Sequence, residues 1–266
     1  MTYKNIYPSG SITPSANPSI KAHKLGKDFP ACLITSHIGA PQEHLASYLN
    51  KILMPFIENN PFICKNSFDF ANKLKSIKLR LHEMMTSYYS TGLFPLVPIE
   101  EAIRHILELL EADDTLPSRT NLSPYNIADL IHLCLSTSDF NYDDRHHTTK
   151  DSGPIGLSLM VTVSQLWMTH TVKEARKIAQ SRQVALPRFT SIYMDDIWCI
   201  VLNPPRRTGL RNSQNAEPPS PAVQFNDCLN AVHPRVQFTC ENEEDNSIAF
   251  LDNFVTRHDD GKQETF

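Results

Sequence analysis

The chain has 266 residues, a net charge of −4 and 41% hydrophobic residues, enough apolar material for one large domain or two smaller ones, which excludes wholesale disorder. No run of about 18 apolar residues occurs, which excludes a spanning helix, and the opening MTYKNIYPSGSITPS lacks the basic-then-apolar order of a secretion signal. Six cysteines, at 32, 64, 134, 199, 228 and 240, form no C-x-x-C pair and read as reduced, mostly buried thiols of an intracellular protein, nuclear or cytoplasmic and not secreted.

Residues 8–19, PSGSITPSANPS, read as an extended, flexible lead-in. Residues 1–85 carry a charge of +5 and residues 86–266 carry −9, so the first third has the sign that follows a phosphate backbone, or that of a solvated basic surface. Leu45, Tyr48, Leu49, Ile52, Leu53 and Phe56 recur at three- and four-residue steps and predict a helix over 41–58. A second helix is expected over 66–83, with Ser67 as its N-cap. MMTSYYSTGLFPLVP, 84–98, reads as a strand running into a turn. Helices follow at 99–112, with acidic residues in the first turn as the helix dipole favours, and at 124–137.

A polar stretch, NYDDRHHTTKDSG, follows at 141–153. His146 and His147 stand beside Asp143 and Asp144, but adjacent strand residues point apart and the spacing fits no metal site. A long helix is predicted over 157–182, a hairpin over 188–202 and an exposed Pro-rich loop over 203–221. A short helix near 222–232 and strands over 235–241 and 247–258 complete the order. Helices on one side of a small antiparallel sheet make an α+β fold.

The hairpin carries the chemistry. TSIYMDDIWCIVL, 190–202, sets Asp195 and Asp196 between two apolar, β-prone runs. Two carboxylates at such a tip repel each other unless a cation sits beside them, and a divalent ion with hard oxygen ligands is the natural partner. A solvent-exposed turn, where Asp is common, is the alternative.

Tyr193-Met194-Asp195-Asp196 resembles the metal-binding turn of reverse transcriptases, and the chain as a whole resembles those of Penelope-like retroelements. IKAHKLGKDFPACLITSHIGAPQEHLASYL is similar to that family's lead-in, MTSYYSTGLFPLVPIEEAI to its first catalytic motif, and TTKDSGPIGLSLM to its Gly-bearing helix motif. NAVHPRVQFTCENEEDNSIAFLDNFVTRHDDG resembles its closing block. The resemblance implies the fingers and palm of a right-hand polymerase, with lead-in and fingers over 1–85 and palm over 86–266. It implies RNA-directed DNA synthesis with Mg2+ or Mn2+, an RNA template, a DNA primer and dNTPs. Asp195 and Asp196 would be the catalytic metal ligands. Tyr193 would pack at the primer end, Gly156 would contact template–primer unless it merely starts a helix, and Lys21 and Lys24 would contact phosphate. The chain stops at GKQETF, where a thumb would follow, so a fragment of a longer reading frame is expected.

Two departures from the family imply impaired chemistry. With Ser87, Leu93 and Phe94 in register, the first-motif Asp position holds Tyr89, a neutral phenol and a poor magnesium ligand. The Arg of the fingers strand, which would clamp a triphosphate, reads Cys32. The alternatives are a non-catalytic nucleic-acid-binding remnant of a polymerase fold and an unrelated two-Asp hydrolase.

Overall fold

The computed structural model describes residues 10–20, 31–136, 139–148, 153–204, 219–258 and 261–265. The chain divides into two compact units, each built from two stretches: residues 1–59 with 93–167, and residues 60–92 with 168–266.

The first unit holds a four-stranded sheet of β1 (Ser15–Ile20), β2 (Ala31–Ser36), β4 (Asp139–Tyr142) and β5 (Arg145–Thr148), in the order β2-β1-β4-β5. The lead-in expected to be flexible thus ends in a strand, held by a six-pair antiparallel ladder to β2. The polar stretch also contains a hairpin, β4–β5, that its composition does not announce. Helices α1 (Glu43–Glu58), α3 (Leu93–Leu96), α4 (Ile99–Glu111) and α5 (Pro124–Ser136) belong to this unit, the three longer ones close to their expected spans. In α4, Ala102, Ile103, Ile106 and Leu110 are buried at helical spacing, and Glu100 and Glu101 occupy the first turn.

Helix α6 (Ser158–Ser181) begins in the first unit and ends in the second. The second unit is organised on β3 (Glu83–Ser90), β6 (Phe189–Tyr193), β7 (Asp196–Leu202) and β8 (Phe238–Asn242), an antiparallel sheet in the order β6-β7-β3-β8. The expected boundary at residues 85–86 falls inside β3. A single cut there does not describe the units, because β3 pairs with β7 over seven residues and with β8 over five.

Side chains alternate across this sheet. One face carries Tyr88, packed on Phe225 of α7 (Pro221–Asn230) with ring centroids 5.7 Å apart and donating its hydroxyl to the Ala222 carbonyl at 3.2 Å. The other face carries Met85, Trp198 and Ile200. These bury against Phe70 and Leu74 of α2 (Ser67–Lys75) and against Ile248, Phe250 and Val255 of a second sheet, β9 (Ser247–Phe250), β10 (Asn253–Arg257) and β11 (Gln263–Thr265).

Three expected boundaries change. Asn66, not Ser67, caps α2, accepting from the Asp69 amide at 2.9 Å. That helix ends at Lys75 rather than 83: the Ile77 amide turns back onto the Leu74 carbonyl at 2.9 Å, and the Leu79 amide bonds the distant Gly261 carbonyl instead of continuing the helical ladder. The strand expected over 247–258 breaks at Leu251, whose φ of 55° makes the β9–β10 turn.

The start of β3 is fixed by ion pairs. Glu83 is buried and accepts from Arg188 Nε at 2.6 Å and Nη2 at 2.8 Å. Arg257 bonds the Glu83 carbonyl at 2.9 Å and pairs with Glu243 at 2.6 Å. Burial pushes the Glu83 carboxyl up, but the Arg188 hydrogen bonds and charge outweigh it and hold the group below its ordinary value. Glu83 is therefore occupied at the far end of β3 from the aspartates.

Candidate functional site

The site lies at the end of the β3/β7/β8 face that the core does not fill. Tyr193 pairs with Asp196 across a two-residue turn of Met194 and Asp195. Met194 has a φ of 50°, in the left-handed region where a side chain costs about 1 kcal/mol or more. Of the two central residues only the first is in that region, the pattern of a II′ turn rather than I′. The turn thus holds backbone strain at the tip that presents the two carboxylates.

The hairpin meets β3 at Tyr89 and Ser90. Tyr89 lies directly opposite Asp196 on one side and Thr239 on the other, and the Ser90 amide donates to the Asp195 carbonyl at 2.9 Å. The Tyr89 phenol also hydrogen-bonds the Asp195 carboxylate. Burial, the charge of Asp195 and that hydrogen bond raise the Tyr89 pKa above its ordinary 10, so the phenol stays neutral and donates. Ser87 and, opposite it, Glu241 of β8 continue the same face. Burial first, then the charges of Asp195 and Glu241, push the Asp196 carboxyl up to about 6. Glu241 was missed in the sequence. Its role depends on the β3–β8 register, which no local signal encodes.

The other predicted residues fall in different places. Tyr193 is partly buried and packs against the Trp198–Phe70 core. Gly156, in the first unit, has a φ of 115°, and a Cβ there would stand 2.0 Å from the Thr35 carbonyl oxygen. Thr35 binds this loop twice, its amide and its hydroxyl both donating to the Ile155 carbonyl, at 2.8 and 2.7 Å. Gly156 is therefore required by close backbone approach. The Thr35 hydroxyl proton is spent on that carbonyl, so His37 Nε2 donates to Thr35 Oγ1 at 2.9 Å, and Gln42 donates to His37 Nδ1 at 3.2 Å. Burial lowers the His37 pKa, consistent with this neutral tautomer. Cys32 lies on β2 opposite Ser19. Lys21 and Lys24 lie outside the described residues, as does most of the Pro-rich loop.

A divalent-metal centre of the polymerase kind needs carboxylates from two strands. Here the second strand contributes a phenol whose proton is directed at Asp195. Among the described residues no three His, Cys, Asp or Glu side chains form a group able to hold a metal ion. The residues present do not fit a two-metal site.

No protein-family model and no curated protein matches this chain. Solved structures do. The BmCPV RNA-dependent RNA polymerase at its elongation state matches with a TM-score of 0.61 and 14% identity, over 96% of this chain and 22% of that one. Apo telomerase from Candida tropicalis, truncated from its C-terminal domain, matches at 0.59 and 10%, over 95% and 54%. Telomerase from Candida albicans, in complex with a fragment of telomeric RNA, matches at 0.58 and 10%, over 100% and 48%. The fold is that of a polymerase palm and fingers. The chain spans about a fifth of the viral polymerase and about half of each telomerase. No described helix is long and apolar enough to cross a membrane.

Proposed function

We propose that this chain is a reverse-transcriptase domain of Penelope-like type, fingers and most of a palm, whose RNA-directed DNA polymerase chemistry is impaired in this copy. The second unit, with the paired aspartates, is the palm, and the fingers lie within the first. One observation carries the reading: the strand pairing sets Tyr89 beside Asp195 and Asp196, where nucleotidyl transfer calls for a further carboxylate. A phenol hydrogen-bonded to Asp195 neither adds negative charge nor frees that carboxylate. Mg2+ or Mn2+ would bind weakly or not at all. What survives is the capacity to hold an RNA template and a DNA primer, so the function supported best is nucleic-acid binding on a polymerase scaffold with little or no transfer.

The test is primer extension by the purified chain on a primed RNA template, with dNTPs and magnesium or manganese. Extension is expected to be negligible while salt-dependent binding of the RNA–DNA hybrid persists. Tyr89→Asp should raise extension without restoring it fully while Cys32 remains. Robust synthesis by the natural chain that disappears in Asp195→Asn would refute the impairment. Failure to bind primed template at all would refute the polymerase ancestry of the function. The two-Asp hydrolase has less support, since it requires a third ligand beside Asp195 and the described residues group none there.

A further inference from the structure

The β4–β5 hairpin is built unlike the other strands. All its residues except Phe140 are exposed, although β4 is hydrogen-bonded into the first unit's sheet beside β1. Its register sorts the side chains onto two faces. Asp139, Asn141, His146 and Thr148 share one face, and Phe140, Tyr142, Arg145 and His147 share the other. The first face is satisfied within itself: Thr148 Oγ1 donates to Asp139 Oδ1 at 2.6 Å, and His146 Nε2 lies 3.6 Å from the same oxygen.

The second face is a row of rings with a cation. Phe140 is the buried anchor. The His147 ring lies nearly parallel to it, with centroids 5.4 Å apart and planes at 19°, and the Tyr142 ring stands 6.3 Å from His147 at 56°. Tyr142 is 42% exposed, and Arg145 is directly opposite it. The hairpin's acidic residues are kept off this face: Asp139 is on the reverse, and Asp143 and Asp144 form the turn. A ring ladder that only braced the hairpin would be complete with Phe140 and His147. It would not call for an exposed phenol with a guanidinium beside it.

Outward aromatic faces next to a cation match the chemistry of single-stranded nucleic acid, whose bases stack on rings while its phosphates meet Arg. We propose that Tyr142, His147 and Arg145 form a stacking platform for unpaired nucleobases of an RNA or DNA strand. The inference rests on the nucleic-acid-binding reading above and adds to it a site outside the paired-aspartate turn.

The test uses the full chain and single-stranded oligonucleotides of about 10 nucleotides carrying 2-aminopurine, in ribo and deoxyribo forms, read by anisotropy and by fluorescence quenching on stacking. Binding with quenching is expected for both forms. The double variant Tyr142→Ala, His147→Ala should weaken binding about 10- to 100-fold and relieve the quench, whereas Tyr142→Phe keeps both. Arg145→Gln should lower the slope of log affinity against log salt by about one. Double-stranded probes should bind all variants alike. Unchanged affinity and quenching in the double variant would overturn the platform while leaving the nucleic-acid reading intact. A wild-type chain that binds primed template but no single strand would do the same, and one that binds neither would overturn both. A change of oligomeric state in these variants without a change in oligonucleotide binding would assign the face to a second copy of the chain and overturn the proposal.

Discussion

Substituting Tyr89 by Asp places a third carboxylate directly across the β3–β7 pair from Asp196. Opposed side chains in such a pair have Cβ atoms about 5 Å apart, and two like charges at about that distance in an effective dielectric of about 20 repel by roughly 3 kcal/mol. The lost hydrogen bond to Asp195 adds about 1.5 kcal/mol, the usual worth of one made to a charged group. At pH 8 in chelator, Tyr89→Asp should therefore melt about 10 °C below the natural chain. Magnesium at about 100 times its dissociation constant should return about 2.7 kcal/mol, because the ion binds the folded site and not the unfolded chain. Thermal melts across a magnesium titration measure this directly. Tyr89→Asn is the control, since it removes the ring and hydrogen bond without adding charge and should show no magnesium dependence. If Tyr89→Asp melts at the same temperature in chelator and in magnesium, the claim that residue 89 occupies a metal-ligand position is wrong.

The raised pKa of Asp196 means that the folded state holds its proton more tightly than the unfolded chain, so this group's contribution to stability is lost as pH rises from about 3.8 to about 6. Asp196→Asn should match the natural chain below pH 4 in urea unfolding and become progressively more stable than it up to about pH 6, with no further gain above. Gly156→Ala should cost at least about 2 kcal/mol in the same assay, since a Cβ meets the Thr35 carbonyl and the φ of 115° is strained for Ala. Arg188→Met leaves the buried Glu83 with the Arg80 amide but without its guanidinium partner and should cost about 2 kcal/mol at pH 7, less than for a fully buried pair because Arg188 is partly exposed and the Arg80 bond remains. That cost should shrink as pH falls through the ordinary carboxylate range, where Glu83 in the variant takes up a proton.

How much was legible depended on whether the signal was local. The expected spans of α1, α4, α5 and α6 fell within two residues of the observed helices, and in α1 the local signal is an apolar stripe fixed by the helix's own 3.6-residue repeat. The β6–β7 hairpin was equally plain, with two β-prone runs flanking a short polar turn. The expectation failed where a distant contact decided. Helix α2 stops eight residues short of its expected end, where Leu79 bonds the segment at Gly261. The β4–β5 hairpin escaped notice because its exposed faces carry no apolar alternation, and only Phe140 records its attachment.

The amino-acid sequence by itself determined that the chain has an α+β core and that two adjacent aspartates stand at a hairpin tip. Only the tertiary structure decided that Tyr89 hydrogen-bonds Asp195, that Glu241 adds its charge to Asp196, and that Gly156 is held by the backbone of β2. The reason is physical. Side-chain periods are written along the chain, whereas the register between strands far apart in sequence is set by which pairing buries both faces of a sheet at once.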